Sequence, residues 1–269
     1  GALGAPAVVC SGAIGETRID GQIRFVWRER WGSVHLSFII PAYNESRRIG
    51  DTLRKTRAYL DSQDYDWEII VVDDGSSDGT AKYVRESFPE VRVLAYTPNR
   101  GKGHAVRTGM LAAEGDYRVF SDADGSTPVE ELEKLWARFE DGADVVIGSR
   151  TVPDAEVQVR QALYRQTMGR IFNVFVQLLA IRGFPDTQCG FKGFTHGAAD
   201  DVFPRLTIPG FGFDAEALFI ARKHGFRIDQ VGVKWINSPA SSVNAVRDSA
   251  RMLRDLVLIR LRDMRRKYD

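Results

Sequence analysis

Two carboxylates that lie two residues apart are the clearest candidates for chemistry in this chain. Asp122 and Asp124 end the predicted strand YRVFSDAD. A lone D-x-D pair is commonly a solvated turn that caps a helix. Here the pair follows an apolar strand, and two carboxylates at a strand end can reach one hard cation or its waters. Oxygen ligands suit Mg²⁺ and Mn²⁺. The pattern therefore predicts a divalent metal site at Asp122 and Asp124.

A second acidic group ends the predicted strand WEIIVVDD. The carboxylate of Asp74 can accept hydrogen bonds from a nucleobase N–H or from ribose hydroxyls. Asp78, in the turn GSSDG, is better explained as turn chemistry that caps the next helix. Asp74 is therefore the predicted ligand of a nucleoside.

Two further segments have residues suited to binding a nucleotide. In NRGKG, residues 99–103, the glycines allow close backbone approach, the following helix N-terminus attracts anions, and Lys102 adds a positive charge. The segment is not a P-loop, and no GxGxxG follows the first strand, which argues against a dinucleotide-dependent oxidoreductase. Tyr43 and Glu45, in PAYNE, could stack on and hydrogen-bond a base, although the same residues could equally form a helix entry.

The first half of the chain alternates predicted strands with predicted helices. The strands cover residues 36–40, 67–74, 91–96, 117–124 and 144–150, and the helices cover 47–60, 80–88, 104–113 and a segment opened by Pro128. Near-continuous apolar strands that alternate with helices indicate a parallel sheet covered on both faces. Ligands bind beyond the carboxyl ends of such strands, so PAYNE, DDGSSD, DAD and GSR should converge on one edge.

The second half has a different pattern. We predict that residues 151–183 are mostly helical, that 184–197 are rich in loops, and that Phe213–Gly225 form a helix. A strand in FRIDQVGVKW and a basic amphipathic helix from about residue 243 complete the chain. That last helix suits an anionic membrane surface, but it could equally pack on the domain with a solvated basic face.

The composition excludes several classes of protein. Hydrophobic residues make up 43% and charged residues 27% of the chain, and the net charge is +1, so the protein as a whole is not a binder of polyanions. The two cysteines, Cys10 and Cys189, form neither a disulfide framework nor a zinc motif. No stretch approaches the roughly 20 apolar residues that span a bilayer. We expect a soluble or peripheral protein in the cytoplasm, placed at the cytoplasmic face of a membrane.

The ordered set of motifs resembles a known family. PAYNE, VVDDGSSDGT, NRGKGHAVRTGM, SDADGS and VIGSR, in this order, are similar to the family 2 glycosyltransferases of the GT-A fold. DTQCGFKGF, FGFDAEAL and VKW resemble the dolichyl-phosphate β-glucosyltransferase branch, whereas dolichyl-phosphate mannose synthases share only the first half. The resemblance runs from about Ser37 to Arg262. We expect an extension of unknown role over residues 1–34, a GT-A catalytic domain over 35–242 and the basic helix over 243–269.

The resemblance implies a role for each group of site residues. The nucleoside pocket would be lined by Pro41, Tyr43, Glu45 and Asp74. Asp122 and Asp124 would bind the Mg²⁺ or Mn²⁺ that bridges the donor diphosphate. Phosphate groups, including that of the acceptor, would face Arg150 and Arg165. Asp214 and Glu216 fall on the helix where the family places its base, and Lys192 would lie near the same site.

The expected reaction is the inverting, metal-dependent transfer of a hexose to a polyprenyl phosphate, with UDP-glucose as the favoured donor. A phosphate acceptor is already an anion, so Asp214 would position it, whereas a hydroxyl acceptor would require Asp214 as a base. The alternatives are a GDP-mannose-dependent enzyme, a transferase to a soluble or polysaccharide hydroxyl, and, from a different class, a non-catalytic nucleotide-sugar binding module. We expect a membrane surface as a partner and no nucleic acid.

Overall fold

The computed structural model describes residues 16–19, 22–25, 35–157, 173, 175–236 and 245–269. The chain divides after residue 32 into two compact units. The first contains an antiparallel hairpin of β1 (Glu16–Ile19) and β2 (Gln22–Phe25). All other described elements belong to the second unit, including the C-terminal helix.

A seven-stranded sheet forms the centre of the second unit, in the order β10-β7-β9-β6-β3-β4-β5. Neighbouring strands are parallel except at β9, which runs antiparallel between β6 and β7. The strands of the sheet are β3 (Leu36–Ala42), β4 (Trp67–Asp74), β5 (Arg92–Tyr96), β6 (Tyr117–Ser121), β7 (Val145–Ser149), β9 (Phe191–Thr195) and β10 (Ile228–Gly232). Two short parallel strands, β8 (Glu156–Val157) and β11 (Lys234–Trp235), pair separately.

Helices cover both faces of this sheet. They are α1 (Ile49–Leu60), α2 (Thr80–Ser87), α3 (Lys102–Ala112), α4 (Leu132–Glu140), α5 (described over residues 175–179), α6 (His196–Arg205), α7 (Phe213–Lys223) and α8 (Ala245–Met264). Side chains from α1, α2 and α4 pack on one face with Phe38 and Ile40 of β3. Those from α3, α6, α7 and α8 pack on the other face with Ile39. Successive residues of a strand point to opposite faces, so a strand buried on both faces is apolar throughout.

The α/β fold class expected from the sequence is confirmed, because the central sheet is mostly parallel and flanked by helices. In the segment 184–197, which we expected to be rich in loops, residues 184–190 are irregular, but 191–195 form β9 and α6 begins at His196, so the expectation was wrong for the second part of the segment. Lys192 and Gly193 interrupt the apolar pattern of FKGFT, although Lys192 is fully buried. Of the expected helix over 151–183, residues 156–157 form a strand, and 158–172 lie outside the described residues.

The C-terminal residues are tied to α7 by a buried carboxylate. Tyr268 is fully buried, and its hydroxyl donates to Glu216 Oε1 at 2.5 Å. Glu216 Oε2 accepts from the backbone N–H groups of Thr207, at 3.0 Å, and Ile208, at 2.8 Å. The segment that precedes α7 and the end of the chain are thus joined through one side chain. Glu216, which the sequence places beside a candidate base, has a structural role.

The C-terminal helix α8 has a buried side and an exposed side. Leu256 and Ile259 are fully buried against the domain. Val257, Leu261 and Met264 are exposed, at 45%, 40% and 73%. The helix therefore packs on the domain and still presents an apolar stripe outwards. Among the described helices, none has the length and hydropathy needed to cross a bilayer.

The contacts of Glu216 predict a measurable stability. We expect Tyr268→Phe to lower the free energy of unfolding by about 1–2 kcal/mol, because it removes one hydrogen bond to a buried carboxylate. Glu216→Ala should cost about 3 kcal/mol or more, since it leaves several buried donors unpaired. Urea denaturation measures both. Lys82→Ala is the control, because its ion pair with Glu86 is exposed and contributes little. A Tyr268→Phe variant as stable as the wild type would contradict this account.

Candidate active site

The turns after β3 and β4 are bonded to each other at the carboxyl edge of the sheet. Asn44 receives a hydrogen bond from the backbone of Ser77 at 2.9 Å and donates its own N–H to Ser76 Oγ at 2.8 Å. Tyr43, beside Asn44, is 49% exposed and available to stack on a planar group. Pro41 is buried within β3, where it pairs with Val72.

Asp78 caps the start of α2, as turn chemistry predicts. Its carboxylate accepts from the backbone N–H groups of Thr80 and Ser46, both at 3.0 Å. Burial alone would raise the pKa of Asp78, but the hydroxyl of Thr80, which also donates to this carboxylate, and these backbone donors outweigh it and lower the pKa.

Asp74 holds the loop that the sequence singles out as NRGKG. Its carboxylate accepts from Asn99 Nδ2 and from the backbone N–H groups of Arg100 and Gly101, each at 2.8 Å. These bonds position Lys102, the next residue, at the start of α3. In this structure the carboxylate of Asp74 therefore shapes the loop that precedes Lys102; its contact with a nucleoside stays a prediction.

The carboxylates of the DAD segment sit in a turn that is fixed from two sides. Thr52 of α1 donates its hydroxyl to the carbonyl of Ala123 at 2.8 Å. Asp124 Oδ1 accepts from the backbone of Ser126 at 3.0 Å. Arg48, whose guanidinium forms a two-pronged pair with Glu45 at 2.6 and 2.7 Å, lies close by. Its hydrogen bonds with Glu45, and to a lesser extent the charge of Asp124, raise the pKa of Arg48.

Asp122 meets Lys102 across the site. Lys102 Nζ lies 2.5 Å from Asp122 Oδ1. Burial acts to lower the pKa of Lys102, but the carboxylates of Asp122, Asp214 and Asp124 outweigh it and raise the pKa. On its other side Asp122 packs against Gly190, where a Cβ atom would lie 2.0 Å from Asp122 Oδ2. A glycine at 190 is therefore needed for Asp122 to keep this position.

Lys192 and Asp214 form a buried ion pair beneath Asp122. Lys192 Nζ lies 2.5 Å from Asp214 Oδ1 and 2.5 Å from the carbonyl oxygen of Cys189, and it stands 5.4 Å from the ring centroid of Phe120. The two side chains are 0% and 3% exposed. Burial raises the pKa of Asp214, and Lys192 and Lys102 act against this effect.

Arg150 is held by an acid that sequence reasoning did not select. Asp186 accepts from the backbone N–H of Arg150 at 2.9 Å, from Nε at 2.8 Å and from a terminal guanidinium nitrogen at 2.8 Å. The guanidinium also lies 5.5 Å from the ring centroid of Trp235. Burial opposes the charge on Arg150, but Asp186 outweighs it and raises the pKa of the guanidinium. Arg165, predicted to face phosphate, lies outside the described residues.

The antiparallel direction of β9 explains why these residues meet. Phe191, at the start of β9, pairs with Ser121 at the end of β6. The loop that precedes β9 therefore reaches the same edge as the carboxyl ends of the parallel strands. This places Asp186 and Gly190 in the site. The sequence pattern did not predict this reversed strand. The block DTQCG pointed to the loop before β9 but not to the direction of the strand. Cys189, in the same loop, is buried, which raises the pKa of its thiol to about 11 and keeps it unreactive.

The site thus combines half-buried carboxylates, fixed cations and an exposed aromatic ring at the carboxyl edge of a mostly parallel sheet. Residues 37–203 match the family model described as "Glycosyl transferase family 2". The chain is a family 2 glycosyltransferase. It is 36% identical over 245 residues to a dolichyl-phosphate β-glucosyltransferase of Dictyostelium discoideum, covering 86% of this chain and 75% of that protein.

Other relatives of this family 2 glycosyltransferase have the same name. The Saccharomyces cerevisiae protein is 34% identical over 249 residues, with 85% of this chain and 75% of the relative covered. The Homo sapiens protein is 33% identical over 243 residues, with 84% and 75% covered. The non-catalytic binding module considered from the sequence is therefore not supported.

Solved structures confirm the GT-A fold of this glycosyltransferase. The glucosyl-3-phosphoglycerate synthase of Mycobacterium tuberculosis, in complex with Mn²⁺, UDP and phosphoglyceric acid, has a TM-score of 0.62 at 19% identity, with 86% of this chain and 78% of that one covered. The mannosyl-3-phosphoglycerate synthase of Rubrobacter xylanophilus has a TM-score of 0.59 at 19% identity, with 87% and 75% covered.

The contact between Gly190 and Asp122 gives a sharp test of the site. We expect Gly190→Ala to lower the transfer rate by more than about tenfold, because the new methyl group displaces a carboxylate at the reacting edge. Gly197→Ala is the matched control, since a Cβ there meets nothing within 4 Å. Steady-state kinetics and urea denaturation of both variants separate activity from stability. Equal activity in the two variants would show that Asp122 does not need this position.

Proposed function

We propose that this glycosyltransferase transfers glucose from UDP-glucose to a polyprenyl phosphate of the dolichyl type, with inversion at the anomeric carbon. The observation that carries the proposal is the 33–36% identity, over 84–86% of the chain, to proteins named dolichyl-phosphate β-glucosyltransferase. We further propose that the protein works at the cytoplasmic face of a membrane, where a lipid acceptor is presented.

The residues at the DAD turn fit a divalent cation. Within the described part of the chain, no group of three His, Cys, Asp or Glu side chains is arranged to hold a metal alone. Mg²⁺ is commonly bound by one or two carboxylates together with substrate phosphates, and Asp122 and Asp124 supply such oxygens at a partly exposed turn. Mg²⁺ or Mn²⁺ held there would neutralise the charge of the departing diphosphate.

The cations around the site have separate tasks in this proposal. Lys102, positioned by the loop that Asp74 holds, would face the donor phosphates. Arg150 is oriented by Asp186 and would bind the acceptor phosphate, together with Arg165. A guanidinium fixed in advance by a carboxylate loses little entropy on binding phosphate. Tyr43 would stack on the uracil ring, and Pro41 and Glu45 would line the same pocket.

Asp214 would position the acceptor through Lys192 rather than accept a proton. A phosphate oxygen is already anionic near neutral pH, so its attack on the anomeric carbon needs no base. The leaving UDP carries away the electron pair of the bond to the sugar, and no proton has to move. The 2.5 Å ion pair between Lys192 and Asp214 supports this assignment, because it already engages the carboxylate.

The Asp214→Asn variant distinguishes the two classes of acceptor. With a polyprenyl phosphate we expect the transfer rate of the folded variant to fall by about tenfold or less, because the amide oxygen can still accept from Lys192. The lost counter-charge of Lys192 should instead lower the free energy of unfolding, by about 3–5 kcal/mol. A hydroxyl acceptor would lose the contribution of a general base, about 100- to 10,000-fold. Single-turnover rates across a pH series measure the difference. Two results together would show that Asp214 acts as a base: a large loss of rate in Asp214→Asn with the phosphate acceptor, and a wild-type rate that falls at low pH, where the carboxylate becomes protonated.

The reaction itself is tested with purified protein. We would supply UDP-glucose or GDP-mannose, Mg²⁺ or Mn²⁺, and a polyprenyl phosphate, and measure nucleotide release and lipid-linked sugar. We expect glucosyl lipid only with UDP-glucose and metal, and its loss in Asp124→Ala. Product formed from GDP-mannose would reassign the donor. Metal-dependent hydrolysis of the donor without lipid product would reject the lipid acceptor and retain the transferase.

A further inference from the structure

A basic cavity lies away from the catalytic edge, where α5, the end of α7 and α8 come together. Its volume is about 320 Å³. Four basic side chains line it, and Leu178 and Phe219 provide apolar wall; the basic residues are Arg182, Arg222, Lys223 and Arg260. Asp214 and Arg222 are eight residues apart on α7, so the cavity lies roughly 12 Å along the helix axis from the ion pair of the site.

Two arginines of this cavity, Arg222 and Arg260, are held in place without neutralisation. Arg222 donates to the carbonyl oxygen of Arg182 at 2.7 Å and lies 5.1 Å from the ring centroid of Phe184. Arg260 donates to the carbonyl oxygen of Leu179 and lies 5.0 Å from the ring centroid of Phe219. In the part of the chain that the structure describes, ion pairs with carboxylates involve Lys223, with Asp263 and Asp269, but none of the three arginines.

Exposed apolar side chains border the cavity on two sides. Leu178, in its wall, is 60% exposed, and Phe175, three residues earlier on α5, is 38% exposed. On α8, the exposed residues Val257, Leu261 and Met264 are separated by four and then three positions. This spacing places them on one face of the helix, beside Arg260. Apolar side chains next to cations suit the boundary between the headgroups and the acyl chains of a bilayer.

We propose that this cavity binds the phosphate group of an anionic phospholipid. Arginine binds phosphate through two parallel N–H donors, and three arginines around one concave surface match the negative charge of such a headgroup. The exposed apolar residues of α5 and α8 would enter the outer acyl region, which a soluble anion would not require. The site rests on the proposed membrane association and adds to it a specific contact, separate from the acceptor site at Arg150.

This contact would fix how the catalytic edge faces the membrane. The helix α7 starts at the buried pair of the site and ends in the cavity, and α8 borders both, since Asp255 packs against Gly212 and Arg260 lines the cavity. A headgroup bound at one end of a rigid helix would therefore hold the other end at a set distance from the bilayer. Lipid-borne acceptors would then arrive at a defined orientation.

Vesicle flotation of the full chain tests the site. We expect the wild type to bind phosphatidylcholine vesicles containing phosphatidylglycerol and to bind pure phosphatidylcholine weakly. The variant Arg182→Gln/Arg222→Gln/Arg260→Gln should bind the anionic vesicles on the order of 100-fold more weakly. The matched control is Arg54→Gln/Arg57→Gln/Lys82→Gln, which removes the same charge from α1 and α2 on the opposite face of the sheet. It should bind as the wild type does.

Three outcomes would overturn the proposal. Equal binding by the cavity variant and the wild type would reject the site, and equal losses in the two triple variants would show attraction by net charge alone. Full release of the protein from vesicles by inorganic phosphate at modest concentration would assign the cavity to a soluble anion. If the triple variant does not fold, Arg182→Gln is tested alone, because that side chain is exposed; it should bind the anionic vesicles severalfold more weakly, and unchanged binding would again reject the site.

Activity separates this proposal from the proposed function. Transfer to a short-chain, water-soluble polyprenyl phosphate without vesicles should be the same in the cavity variant and the wild type. If the cavity variant lost this transfer activity to the same extent as its vesicle binding, the result would contradict a separate lipid site. A wild type that binds anionic vesicles through the arginines but makes no glucosyl lipid would retain the cavity and reject the function. A wild type that makes glucosyl lipid but does not bind the vesicles would do the reverse.

Discussion

The buried ion pair between Lys192 and Asp214 is the contact on which the arrangement of the site depends. Two charges removed from water cost several kcal/mol each, and only good geometry with further hydrogen bonds repays this cost. Lys192 meets the condition with Asp214, the carbonyl of Cys189 and the ring of Phe120. The pair therefore fixes β9 against β6 and α7 together. Phe120 belongs to the first half of the chain, so Lys192 also contacts that half, close to the carboxylate of Asp122.

A second series of contacts leads from the end of the chain to the same place. Tyr268 and the segment before α7 meet at Glu216, and that segment packs against the loop before α3. A Cβ at Gly101 would lie 2.5 Å from the carbonyl oxygen of Pro209, and one at Gly103 would lie 2.6 Å from that of Ile208. Both glycines are thus required by close backbone approach. Because Asp74 binds the other side of this loop, Lys102 is held from two directions.

The structural features that could be predicted from the sequence are those encoded by short local segments. Apolar strands ended by DD and DAD predict a parallel sheet with acids at one edge, and Trp67–Asp74 has the predicted bounds. The antiparallel β9 could not be read, because a buried lysine looks like a surface residue until its partner, 22 positions away, is known. For the same reason Asp186 and Gly190 were missed: their roles exist only after β9 reverses direction. Asp74 was identified as important, but its three bonds to residues 99–101 are a tertiary feature.

The chemistry of the pair also bears on which acceptor the site suits. A general base must take up a proton during the reaction, and protonated Asp214 would leave Lys192 buried without a counter-charge. Breaking a buried pair in this way costs about 3–5 kcal/mol, which would be added to the barrier of a step that needs the base. An acceptor that is already an anion avoids this cost, because the pair can stay intact throughout the transfer. The same ammonium group then gives the site a fixed positive charge beneath the reacting groups. A buried acid held in this way is consistent with the phosphate acceptor of the proposed function, which needs no general base.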